Sequence, residues 1–331
     1  MSPLLQVEGL HVDLPMGGVP RTVIHDVSLS VHAGEALGLV GESGSGKSMT
    51  LRAIVRLLPA GARVDGVVRL DGAAVHELDA KALRRLRSHD VAVIHQDPRA
   101  HINPVRTVGD FLTEGLVTTQ GVRRREAEDR VVAILDEVGV DGARRRLRQR
   151  PHELSGGLLQ RVMIAAALAS GARLILADEP TTALDVTTQE EVVAILDEQR
   201  RGRGLALVFV THDLELAAAV CDRTAVMYAG SIVEEATSAA LHEHAAHPYT
   251  VALLGARPGF GHADGRLRTI PGRPLSAFEA PDGCAFADRC PQVFARCRAE
   301  RPVLRPVPGG VAACHVAERV ASSPAEEVLD A

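Results

Sequence analysis

Eight consecutive residues, Gly41-Glu42-Ser43-Gly44-Ser45-Gly46-Lys47-Ser48, constrain this 331-residue chain more than any other feature. They fit the spacing G-x-x-x-x-G-K-[ST]. The apolar run Ala36–Val40 precedes them, and a helical segment follows to about Leu58, stopped by Pro59 and Gly61. Glycines let a backbone wrap a phosphate with its N–H groups pointing inward, and a helix N-terminus adds partial positive charge. A lysine placed here reaches terminal phosphates, and the next hydroxyl ligates Mg²⁺. Lys47 and Lys81 are the only lysines among 37 basic residues. Codon usage in a GC-rich genome accounts for the arginine excess, which makes the lysine kept at this loop informative. The pattern predicts a strand–loop–helix unit that holds nucleotide phosphates through Gly41, Glu42, Ser43, Gly44, Ser45, Gly46, Lys47 and Ser48.

Such a loop needs an acidic partner for Mg²⁺ and the attacking water. The run Leu174-Ile175-Leu176-Ala177-Asp178-Glu179 supplies one. Four apolar residues form a buried strand that delivers two carboxylates to its C-terminal end, the edge where open α/β sheets bind ligands. Asp178 is expected to hold Mg²⁺ and Glu179 to polarise the hydrolytic water.

The rest of the chain reads as an α/β protein. Leu4–Leu10, Val23–Val31, Val67–Leu70 and Val91–Ile94 read as strands. Residues from about Pro98 to Arg150 are helical, with apolar positions 131, 134, 135 and 138 at helical period. Leu174–Ala177 and Leu205–Val210 flank a helix over Thr187–Arg201, an order that implies parallel strands. Val226–Tyr228 and Ile232–Glu234 read as a closing hairpin. Beyond Pro248 the chain is rich in Pro, Gly and Arg and carries four of the five cysteines, and the last ten residues are expected to fray. The predicted division is a nucleotide-binding domain over 1–240, with a helical insertion at about 98–165, and an extension over 241–331.

Composition excludes several classes. The net charge of −5 gives no global basic field for nucleic acid. The clusters Arg84–Arg87, Arg123–Arg125 and Arg144–Arg150 read as solvated helix faces or loops. Six Phe, two Tyr and no Trp weigh against recognition by base stacking. No run reaches the roughly 18 apolar residues of a membrane helix. The N-terminus shows no basic region followed by a long apolar one, so a cytosolic site is expected, with the cysteines as thiols or metal ligands.

Leu154-Ser155-Gly156-Gly157, followed by Gln160-Arg161, narrows the family. Alone it is a helix N-cap. Between the phosphate loop and the Asp178-Glu179 strand, it resembles the signature motif of ABC-type ATPases. The resemblance extends to Gln96, to Ala183-Leu184-Asp185 and to His212, in the family's order over roughly residues 3–240. It implies a P-loop NTPase (RecA-like) core with an antiparallel β subdomain, a helical insertion and a Cys-containing extension. It also implies ATP and Mg²⁺ as cofactors, with Mg²⁺ held through Ser48, Gln96 and Asp178. Two such domains pack head to tail, and Ser155, Gly156 and Gly157 face the partner's nucleotide. The resemblance also implies Glu179, His212 and Gln96 as the catalytic set, and places Asp185 of the D-loop among the nucleotide-binding residues. Two departures stand out: Leu14 where an adenine-stacking ring is usual, and Leu158-Leu159 where polar residues are common.

Gln96–Asp110 (QDPRAHINPVRTVGD), Val186–Gln189 and His247–Thr250 resemble the ATPases of oligopeptide, dipeptide and nickel importers. So does the tail, Ile270-Pro271-Gly272 through Cys284, Cys290, Cys297 and Cys314-His315. This implies a subunit peripheral to the cytoplasmic face of the plasma membrane. Its partners would be a second ATPase subunit, two permeases and, indirectly, an extracytoplasmic binding protein, with no nucleic acid. In some members of that branch the four cysteines bind a 4Fe-4S cluster. Their spacing leaves a cluster, a zinc site with His315 as spare ligand, and reduced thiols all open. Cys221 reads as a small core residue in a helix. The contrasting reading is a soluble ABC ATPase of DNA repair or translation, which usually carries two cassettes or a long coiled-coil insertion.

Overall fold

The computed structural model describes residues 2–182, 184–256 and 269–317. Ala183 and the last ten residues lie outside them. Among the described residues twelve strands form: β1 (Leu5–Met16), β2 (Val19–Val31), β3 (Ala36–Val40), β4 (Arg63–Leu70), β5 (Ala73–Ala74), β6 (Val91–Ile94), β7 (Leu174–Asp178), β8 (Ala206–Thr211), β9 (Arg223–Tyr228), β10 (Ser231–Thr237), β11 (Arg305–Val307) and β12 (Gly310–Ala312). The chain divides into two compact units.

The first unit comprises Met1–Leu5, Ser30–Ala36 and Arg69–Val210. Its strands β6, β7 and β8 are parallel neighbours, with Val91 opposite Leu174 and Leu174 opposite Ala206. Every residue of β7 is buried, as a continuous apolar run in a parallel sheet requires. The helix Val108–Thr118 starts at a capping box, in which Thr107 and Asp110 satisfy each other's backbone N–H groups. The helix Arg124–Glu137 buries Ala127, Val131, Ile134 and Leu135, one face at helical spacing. The helix Val186–Arg203 starts at the Asp185 cap and stops at Gly204, whose φ of 64° is left-handed.

The second unit comprises Gln6–Leu29, Leu37–Val68 and Thr211–Ala331. In it β1 lies between β2 and β4. Strand β3 pairs in parallel with β9, and β9 pairs antiparallel with β10. The β9–β10 turn uses Ala229 (φ 43°) and Gly230 (φ 85°), the positive pair that matches strand twist in a two-residue hairpin. The tail returns as the hairpin β11–β12, and β12 pairs antiparallel with β10, with Glu235 opposite Val311. Sequence periodicity does not reveal these two strands, because each is only three residues long. The helix after the phosphate loop also ends early, at Ile54 rather than near Leu58, where Arg56 turns to φ 53°. Cys221 is buried as expected, but it caps the helix Leu214–Val220 rather than lying within it.

Three of the eight aromatics gather in this unit's core. Tyr228, Tyr249 and Phe286 have ring centroids 4.6, 5.4 and 5.5 Å apart, packed with Val40, Leu214 and Val226. Among the described residues no helix is long and apolar enough to cross a membrane. Phe286 is fixed by that cluster, so Phe286→Ala should cost about 3–5 kcal/mol. Denaturant titration of the full chain checks it.

Candidate active site

The phosphate loop follows from its two flanking elements. All of β3 is buried, and the helix Lys47–Ile54 begins at Gly46, whose φ of 105° only glycine adopts without strain. At Gly41 the reason is space: a Cβ there would press on the Met227 carbonyl oxygen, closer than side chains come to backbone. Lys47 is 5% exposed. Its Nζ donates to the carbonyls of Gly41 (2.7 Å) and Glu42 (3.1 Å), so the ammonium sits buried inside its own loop. Ser43 and Gly44 are exposed, while the Ser45 hydroxyl is buried with no hydrogen-bond partner among the described residues. In the same unit His212 is exposed between β8 and the helix Leu214–Val220. Asp213 next to it caps that helix by accepting from Glu215 N and Leu216 N.

The first unit carries the acidic groups. Asp178 ends β7 and is 7% exposed. Glu179 follows at φ 45°, a left-handed conformation that a glutamate adopts only when its surroundings enforce it. Its N–H donates to Val210 O at 3.0 Å, which continues the β7–β8 ladder by one residue. Its Oε2 accepts from Gln96 Nε2 (3.2 Å) and Thr182 Oγ1 (3.0 Å). The structure thus joins Gln96, predicted from sequence, to Glu179, and adds Thr182, which was missed. The only sequence signal for Thr182 is a hydroxyl three residues after the glutamate.

Ser155 caps the helix Gly156–Ala169 by accepting from Leu158 N at 3.4 Å. Ser155 and Gly156 are exposed, and a Cβ on Gly157 would lie 2.7 Å from Thr188 Cγ2. The Leu158-Leu159 departure has a packing reason: Leu159 is 1% exposed and belongs to the core. Arg161 donates to the carbonyls of Val138 (2.9 Å) and Gly139 (3.3 Å) and pairs with Glu191. Asp185 is exposed, and its carboxylate accepts from the Thr188 hydroxyl (2.7 Å) and amide (3.0 Å). Those bonds hold its pKa below the usual carboxylate range. Leu14 is half-buried on β1.

Cys284, Cys290, Cys297 and Cys314 line one small cavity, together with His247 and His315. Burial pushes the Cys290 thiol up to about 11 and that of Cys314 to about 12, which favours neutral thiols. His315 Nε2 lies 3.1 Å from the Glu300 carbonyl oxygen. Among the described residues no three His, Cys, Asp or Glu are placed to hold a single metal ion.

Comparison with known proteins agrees with these motifs. The family described as "ABC transporter" matches residues 24–182, and "Oligopeptide/dipeptide transporter, C-terminal region" matches 233–297. The oligopeptide transport ATP-binding protein OppD of Escherichia coli is 39% identical over 326 residues, covering 98% of this chain and 95% of that protein. The chain belongs to the ABC transporter ATP-binding family. A putative peptide import ATP-binding protein of Brucella ovis is 41% identical, over 92% of this chain and 94% of its own length. OppD of Mycobacterium bovis is 44% identical over 92% of this chain, which spans 50% of that longer relative. Among solved structures, a dimeric post-hydrolysis state of the ATP-binding cassette MJ0796, bound to ADP and Pi, matches with a TM-score of 0.63 and 28% identity. That match covers 71% of this chain and 98% of the other. The ABC cassette fold thus accounts for the parallel strands and the phosphate loop alike. Because Gly41 has no room for a Cβ, Gly41→Ala should cost the cassette about 1–3 kcal/mol and weaken nucleotide binding. Thermal denaturation with and without MgATP reads both effects.

Proposed function

We propose that this chain is the ATP-binding and hydrolysing subunit that energises a peptide-type ABC importer, working as a head-to-tail dimer of ATPase subunits. The observation that carries the ATPase reading is the buried Lys47 at the start of the helix after β3, whose ammonium donates to the carbonyls of its own loop. Phosphate oxygens would replace those carbonyls at little cost, because both are oxygen acceptors for the same ammonium. Loop amides from Gly41 to Ser48 and the helix N-terminus would bind the phosphates. Mg²⁺ would be held through Ser48, Gln96 and Asp178 and would neutralise charge on the terminal phosphates.

Glu179 is the residue to polarise the attacking water, with Gln96 and Thr182 orienting its carboxylate. His212 would contact the terminal phosphate. Ser155, Gly156 and Gly157, at an exposed helix N-terminus, would face the nucleotide of a second ATPase subunit, with Asp185 beside them. Residues 1–240 act as the cassette, with the helical subdomain at about 98–165, and 241–331 as the importer extension. The cassette would sit on the cytoplasmic face of the plasma membrane against two permeases fed by an extracytoplasmic binding protein. The substrate, whether oligopeptide, dipeptide or nickel, is chosen by those partners.

For the tail we propose a 4Fe-4S cluster on Cys284, Cys290, Cys297 and Cys314. Four thiols around one cavity form the donor set such a cluster takes, one thiolate per iron. Glu179→Gln should bind MgATP normally and lower turnover by at least about a hundredfold, as loss of a general base does. Undiminished turnover would remove Glu179 from that role. Protein purified without oxygen should be brown and hold about four irons; a colourless, iron-free, folded preparation would leave the cysteines as structural thiols.

A further inference from the structure

The phosphate loop is not held by its own strand and helix alone. Glu42 is bonded through its side chain, its amide and its carbonyl. The carbonyl accepts from Lys47 Nζ at 3.1 Å, and the amide donates to the Tyr249 hydroxyl at 3.0 Å. The carboxylate receives both ends of the Arg289 guanidinium, with Nη1 to Oε2 at 2.7 Å and Nη2 to Oε1 at 3.1 Å. Two residues on, the Gly44 carbonyl accepts from Ala277 N at 3.1 Å. Every one of these outside partners comes from the C-terminal extension.

Arg289 is built into place. Its side chain is 5% exposed, and its Nε donates to the Pro271 carbonyl at 2.9 Å. Its guanidinium lies 5.8 Å from the ring centroids of both Tyr228 and Phe286, and Nη1 is 3.3 Å from the Tyr228 hydroxyl. A planar fork held by Pro271, Tyr228 and Phe286 meets a carboxylate in a restricted orientation. The pair therefore sets where Glu42 points. The Glu42 carbonyl is among the groups that hold the Lys47 ammonium, so the orientation of Glu42 passes to Lys47.

We propose that Arg289, assisted by Tyr249, is a positioning residue of the phosphate loop, and that the extension tunes nucleotide affinity by fixing Glu42. The proposal rests on the phosphate-loop reading above. Sequence motifs give Arg289 no such role, since it stands 247 residues from Glu42 and beside Cys290. A purely structural tie between tail and loop would alter stability without altering affinity in the folded protein.

The test uses the full chain, with MgATP binding titrated by a fluorescent ATP analogue and steady-state hydrolysis measured alongside. Arg289→Met should weaken binding about tenfold or more, as loss of a charge-assisted pair does, and raise KM far more than it lowers kcat. Arg289→Lys should recover part of the loss. Glu42→Gln should show a similar loss, and the double variant Glu42→Gln/Arg289→Met should be little worse than either single one. Wild-type affinity in folded Arg289→Met, or losses that simply add in the double variant, would overturn the proposal. Should Arg289→Met fail to fold, Glu42→Gln and Tyr249→Phe read the same contact, and unchanged affinity in both overturns it. Lys47→Ala separates the two ideas. It must lose MgATP, and normal binding there would instead refute the phosphate-loop reading itself.

Discussion

The interaction on which the nucleotide-binding unit turns is the bond between the buried Lys47 ammonium and the carbonyls of Gly41 and Glu42. A charge at 5% exposure is tolerated only with close oxygen partners, so the loop must fold back over the lysine. That demand fixes the rest of the loop. Gly41 must lie against Met227 with no side chain, and Gly46 must turn left-handed to start the helix. The fully buried β3 behind them supplies the rigid base. Carbonyl oxygens in these positions hold the ammonium inside the loop.

The acidic end of β7 obeys a different constraint. Glu179 continues the ladder to β8 through its N–H but turns to φ 45°, so its side chain leaves the alternation of the strand. Gln96 and Thr182 then meet one carboxylate oxygen, leaving the group oriented at small cost in flexibility. Strain of this kind persists only where surrounding bonds over-determine it, and here the ladder bond and two side-chain donors do so.

The tail changes what the scarcity of aromatics means. With six Phe, two Tyr and no Trp, the chain places Tyr228, Tyr249 and Phe286 in one cluster of the second unit's core. The rings bury Arg289 and present the Tyr249 hydroxyl to the Glu42 amide. A region that reads from composition as loops, Pro, Gly and cysteines proves to extend the sheet beyond β10 by two strands and to make three contacts to the phosphate loop.

What the sequence determined by itself is the family and where its short motifs fall. Gly41–Ser48, Asp178-Glu179, Ser155-Gly156-Gly157, Gln96 and His212 could be placed at strand ends and helix starts, because backbone geometry there is local. β3 and β6 were legible to the residue, since strands buried wholly or nearly so leave a continuous apolar run. The three-residue strands β11 and β12 were not, because so short a strand has no readable period. Only the tertiary structure decided that Glu42 is gripped by Arg289 and Tyr249 and that four cysteines share a cavity. These pairings join residues up to 247 positions apart. No local pattern encodes them, because long-range neighbours are chosen by how whole elements pack.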